Sequence, residues 1–66
     1  MTKNEYRQFF ANVRPFLNMK SFLDLAEIKS PCFSRFMKGE GWDYEISHEK
    51  LNTLYFCIID FCEKIA

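Results

Sequence analysis

Ser34, Arg35 and Lys38 fall at spacings that share one side of a helix, and Phe33, Phe36 and Met37 fall on the other. The stretch "IKSPCFSRFMKGE", residues 28 to 40, thus reads as a helix that buries an aromatic side and presents a polar side to a partner. The other reactive residue types assemble less. Cys32, Cys57 and Cys62 are an odd number without a CxxC spacing. Cys57 and Cys62, five apart, sit on different sides of a helix and cannot easily pair. They read as small buried hydrophobes in a reducing compartment. His48 is the only histidine. It reads as an exposed first-turn residue, with no second imidazole to share a metal. Asp43 and Glu45 read as solvated loop acids. No Gly-rich phosphate loop occurs, and no Ser–His–Asp set can be placed. The expectation is no enzyme, no metal and no cofactor.

These residues must be carried by a small frame. Sixty-six residues make one domain, 1 to 66, with one core, near the lower limit for folding alone. Hydrophobic residues are 48% and eight are Phe, so the core can be dense and disorder is not expected. Two Gly and two Pro favour long regular elements. No apolar run reaches the roughly 18 residues that cross a membrane. The start, "MTKNEYRQFF", lacks the apolar core of a signal peptide. The expected location is therefore cytoplasmic, with no membrane partner. Net charge is zero, but its distribution is uneven. Residues 1 to 38 hold Lys3, Arg7, Arg14, Lys20, Lys29, Arg35 and Lys38 against Glu5, Asp24 and Glu27, a balance of +4. Residues 39 to 66 hold Lys50 and Lys64 against Glu40, Asp43, Glu45, Glu49, Asp60 and Glu63, a balance of −4. Such a split gives a polyanion one attractive and one repulsive end.

The periodicity predicts an all-α domain of four main helices. Tyr6, Phe9, Phe10 and Val13 form the stripe of a helix from Thr2 to about Arg14, which Pro15 stops. A short helix from Lys20 to about Glu27 follows, capped by Asn18 or Ser21. A third runs from Pro31 to about Lys38, with Ser30 as N-cap, Pro31 in the first position and Gly39 as the stop. In the loop 40 to 46, Trp42 and Tyr44 are expected to fold back as a lid. Ser47 caps a final helix, about 47 to 65, with Glu49 in its first turn. Its stripe is Leu51, Leu54, Tyr55, Ile58, Phe61, Cys62 and Ile65. The expected core is Phe9, Phe10, Val13, Phe22, Ala26, Ile28, Phe33, Phe36, Leu51, Leu54 and Ile58.

Two short helices joined by a tight turn describe a helix-turn-helix. Here "FLDLAEIKSPCFSRFMKGE" resembles that motif in lambda-repressor/Cro-type (XRE-type) regulators, and "FSRFMKG" fits its closing run. "ISHEKLNTLYFCI" looks like the family's next helix, so the likeness covers about residues 19 to 58. Two positions depart from it. Leu23 stands where a small residue is usual, and Glu27 where Gly usually takes a left-handed turn. The loop from Glu40 to Ile46 is also longer than a minimal version.

The resemblance implies a lambda-repressor-like fold of four to five helices and a sequence-specific transcriptional regulator of the phage or mobile-element kind. It places the motif at about 20 to 38, with helix 31 to 38 in the major groove. The residues it turns toward double-stranded DNA are Lys29, Ser30, Pro31, Ser34, Arg35 and Lys38. Arg35 suits a bidentate contact to guanine, Ser34 a base edge or phosphate, and Lys29 and Lys38 phosphates. A homodimer is expected too, because one motif reads only a few base pairs. "LYFCIIDFC", residues 54 to 62, offers more apolar positions than one small core can bury, and Phe56 and Ile59 are left for the interface. The alternative function is a protein-interaction module on the same frame, such as an inhibitor of a host defence or regulatory protein.

Overall fold

The first helix begins where Thr2 and Glu5 satisfy each other's backbone. In the computed structural model, which describes residues 1 to 65 and the side chains of 1 to 64, α1 spans Lys3–Val13. The Glu5 N–H donates to Thr2 Oγ1 at 3.1 Å and the Thr2 N–H to Glu5 Oε1 at 2.7 Å, a capping box. Pro15 then ends α1 as expected, and Arg14–Phe16 turns once as a 3₁₀ segment. The remaining helices are α2, Met19–Leu25; α3, Ser30–Phe36; and α4, His48–Ile65. A second 3₁₀ segment, Glu40–Glu45, kinks at Trp42 and joins α3 to α4. Among the described residues there is no strand, and no helix is long and apolar enough to cross a membrane.

The turn between α2 and α3 is closed by two backbone hydrogen bonds. The Ile28 N–H donates to the Leu23 carbonyl at 2.9 Å and the Glu27 N–H to the Asp24 carbonyl at 3.2 Å. These are the paired bonds of a Schellman motif, which needs a left-handed residue after the helix. That residue is Glu27, at φ +58°. Leu23 and Ile28, both buried, supply the apolar contact that accompanies the motif. The bulky Leu23 is thus part of the turn's own packing. Lys50 Nζ also donates to the Glu27 carbonyl at 2.9 Å, tying α4 to the turn.

The core gathers one face each of α1, α2, α3 and α4. Phe10, Phe36, Leu51, Leu54 and Ile58 are fully buried, and Phe10 meets Phe33 edge to face at 5.8 Å. Phe22, Ala26, Ile28 and Phe33 are buried as expected, whereas Phe9 and Val13 are half-buried at its margin. Tyr6, Met19, Leu23 and Ile46 belong to the core as well. Tyr6 manages this because its hydroxyl donates to Asn52 Oδ1 at 3.0 Å, so no polar group is stranded.

Several details differ from the sequence reading. Asn18 does stand at the N-cap of α2, but its side chain makes no capping hydrogen bond, and Ser21 lies inside the helix. Tyr44 is exposed and Trp42 only half-buried, and the residue that closes this side is Ile46. Phe61 and Cys62 are exposed because α4 outruns the core. Among the described side chains, the last buried position of α4 is Ile58, seven residues before its end. The Ile65 side chain lies outside the described ones.

A side chain at φ +58° costs about 1 kcal/mol or more relative to glycine, partly offset by the freedom glycine adds to the unfolded chain. Glu27→Gly is therefore expected to raise the melting temperature by roughly 2–8 °C. Glu27→Val, β-branched and intolerant of left-handed backbone, lowers it. Thermal denaturation followed by circular dichroism reads both, and a glycine variant that melts below the parent refutes the strain.

Candidate functional site

The outward side of α3 carries most of the polar residues singled out in the sequence. Lys29, Ser30, Pro31, Ser34 and Lys38 are exposed, and they lie together along α3 and its two ends. The local details are shifted by one or two residues. Ser30 is the first residue of the helix and not its cap; Lys29 takes the cap position, and no side chain caps it. Pro31 therefore sits in the second position, where a missing N–H still costs no helical bond. The α-helix stops at Phe36, and Lys38 stands beyond it in a turn. There its Nζ lies 5.6 Å from the centre of the Trp42 ring, within cation–π range. Gly39 follows at φ +148°, backbone that an L side chain rarely adopts, with open space where a Cβ would stand.

What holds α3 in place is Arg7, which the sequence reading counted only as a charge. Arg7 Nε donates to the Phe36 carbonyl at 2.8 Å and Nη2 to the Gly39 carbonyl at 3.0 Å. It thereby caps the end of α3 with a cation, where the helix dipole favours one. The same guanidinium pairs with Asp43 and with the Asn4 side chain, and its carbon lies 4.3 Å over the Phe36 ring. Lys3 Nζ adds a bond to the Asp43 carbonyl at 2.8 Å. A signal was present in the sequence: Arg7 lies three residues before the stripe residue Phe10 and next to Tyr6, so it had to lie at the edge of the stripe.

Among the described residues, Arg35 is the proposed contact residue held in an ion pair. Its Nε donates to Glu45 Oε1 at 2.9 Å and its Nη2 to Glu45 Oε2 at 3.1 Å, a bidentate pair. The Arg35 side chain remains 40% exposed and that of Glu45 only 12%. The guanidinium hydrogen bond holds the Glu45 carboxyl below its ordinary value, against the opposing effect of burial. The same bond raises Arg35. Glu45 is thus no solvated loop acid. Together Arg7–Asp43 and Arg35–Glu45 interlock the basic first half of the chain with the acidic second half.

Two apolar surfaces remain. Phe16, 84% exposed, and Leu25, 69% exposed, border a groove of about 490 Å³ whose floor includes Phe22 and Phe61. On the other flank of α4, Phe56 is 57% exposed and leans on Tyr55, while Ile59 is half-buried.

Depressed carboxyls at Glu5 and Glu45 make folding sensitive to acid. Each group binds its proton less readily folded than unfolded. Its contribution is complete above the ordinary value of 4.5 and is lost as pH falls through the lower folded value. The urea midpoint of the parent should accordingly fall below pH 4.5, and a Glu5→Gln, Glu45→Gln variant should show a flatter acid limb. An unchanged limb contradicts these two anchors. Compared with protein-family models, with curated proteins and with solved structures, the chain matches none of them.

Proposed function

We propose that the chain is a small sequence-specific DNA-binding regulator, in which α2, the turn and α3 act as a helix-turn-helix and α3 enters the major groove. The observation that carries this reading is the left-handed Glu27, at φ +58°, inside a Schellman turn. The sequence puts a costly residue at the position where the resembling family uses glycine, and the backbone keeps the left-handed geometry regardless. Support also comes from the polar residues grouped along α3. Lys29 and Lys38 neutralise phosphates, Ser34 reaches a base edge or phosphate, and Arg35 reads a guanine. Ser30 and Pro31 line the entry to the groove. The regulator acts in the cytoplasm, without cofactor or catalysis.

Gel-shift titrations against selected duplexes test this surface. Lys38→Ala or Lys29→Ala should weaken binding on all sequences alike and lower the salt slope by about 1 each. Arg35→Ala should weaken the selected site by roughly 5- to 100-fold and relax one base pair. An Arg35→Ala, Lys38→Ala protein that binds as well as the parent removes α3 as the reader.

The regulator is proposed to work as a homodimer through Phe56 and Ile59, which places two copies of α3 about one DNA turn apart. The 57% exposure of Phe56 supports this. Sedimentation of the parent should show a dimer at micromolar concentration, and of a Phe56→Glu, Ile59→Glu variant a monomer. A parent that stays monomeric at high micromolar concentration, with and without DNA, excludes the dimer.

A second reading, a protein-interaction module that captures a host protein, is favoured by the groove between Phe16, Leu25 and Phe61. A chain that retains no DNA at low salt but captures a host protein, and loses it on Leu25→Glu, supports that reading over the first.

A further inference from the structure

We propose that Glu45 is a positioning residue that presents Arg35 to a guanine, an inference that rests on the DNA-binding reading above. A guanidinium has five N–H donors in one plane. Glu45 occupies the side-on edge, Nε and Nη2, at 2.9 and 3.1 Å. The remaining Nη2 hydrogen meets only the Cys32 sulfur, at 3.7 Å, a weak acceptor. Nη1 has no partner among the described residues. The end-on edge, Nη1 with Nη2, is therefore the one left for a ligand. Its two parallel donors match the O6 and N7 acceptors of guanine.

The asymmetry of the pair decides between a buttress and a decoy. A decoy carboxylate would have to leave Arg35 and swing into water when DNA arrives. Glu45 is poorly placed to do that: it is the more enclosed partner, it closes the 40–45 segment, and it precedes the buried Ile46. Arg35 is the partner that reaches outward. A planar bidentate pair also fixes the rotation of a long side chain before the ligand arrives, which removes part of the ordering cost of binding. Pairing further cancels much of the Arg35 charge at a distance. The residue thus adds little to sequence-independent attraction and most to reading.

The test starts from duplexes that the full-length parent selects out of a random library. For each protein, affinity is then compared on the selected site and on the same site with its guanine pair replaced by an adenine pair. The ratio is taken within one sample, so a partly unfolded variant does not distort it. Arg35→Ala should abolish the preference at one G·C pair. Glu45→Gln should reduce that preference roughly tenfold while leaving affinity for random duplex unchanged or higher, since an acid has gone. Glu45→Asp, which keeps the charge but shortens the reach, should reduce it too. In the Arg35→Ala background neither change should have any further effect on the ratio. A merely structural role for Glu45 would instead lower binding to both duplexes equally, which overturns the proposal. So does a Glu45→Gln protein whose guanine preference is unchanged or sharper, because the carboxylate then masks Arg35. A parent that selects no sequence overturns the DNA-binding reading itself, and this inference with it.

Discussion

The fold hangs on a cation in an unusual place. Arg7, 12% exposed, sits where the end of α3, the 40–45 segment and α1 meet. A largely enclosed guanidinium is costly unless its donors are used, and here four of the five are. Nε and Nη2 take the carbonyls of Phe36 and Gly39, Nη1 takes Asn4, Asp43 supplies the counter-charge, and the Phe36 ring lies beneath the plane. A seven-residue helix such as α3 is far too short to persist alone. It exists because a neighbouring helix completes its last turn. The Schellman turn does the same for the opposite side, fixing the direction in which the chain leaves α2.

The α3 helix thus follows directly on one fixed turn and ends on a side chain from α1. Its inner side is Phe33 and Phe36, both buried in the common core, with Phe33 edge to face on Phe10. Its outer side is left polar. The short element is held at its C-terminal end by Arg7 and on its polar side by the Arg35–Glu45 pair. The same logic covers the kinked 40–45 segment. It has no buried residue of its own, yet Asp43 and Glu45 fasten it to α1 and α3, and Ile46 anchors its end.

Repetitive patterns were legible in the sequence and pairings were not. The stripes at Phe10, Phe22, Phe33 and Leu51 to Ile58 mark four helices, because burial on one face recurs with the helical period. Pro15 and Ser47 mark boundaries because their effect is local: the Lys50 N–H donates to Ser47 Oγ at 3.3 Å. Partners distant in sequence obey no such period. That Asp43 meets Arg7 and Glu45 meets Arg35 follows from how the elements dock, so acids that read as solvated became fasteners. Ser30 misled for a related reason. A serine before a proline signals a cap, but the preceding left-handed turn starts the helix one residue earlier. Tyr44 and Ile46 are two apart in a segment with no fixed period, so only the fold could tell which one turns inward.

The interlocked charges also alter what a net charge of zero means. In the linear sequence the two halves differ by sign, which suggests a molecule with a basic and an acidic end. In the fold, two of the strongest cations and two of the acids cancel in place, leaving Lys29 and Lys38 as the outward cations along α3. The two pairs thus halve the charge difference between the halves, since two of the cations behind the +4 and two of the acids behind the −4 are neutralised in place. Whatever this surface binds must be held more by short-range fit, and weak general attraction then becomes an advantage, since it leaves the wrong sequences poorly bound. Neutrality is in this sense no argument against a nucleic-acid partner. Under the proposed DNA-binding reading, it shifts the burden of recognition from the number of cations to the placement of a few of them, which the Arg7 and Glu45 contacts constrain.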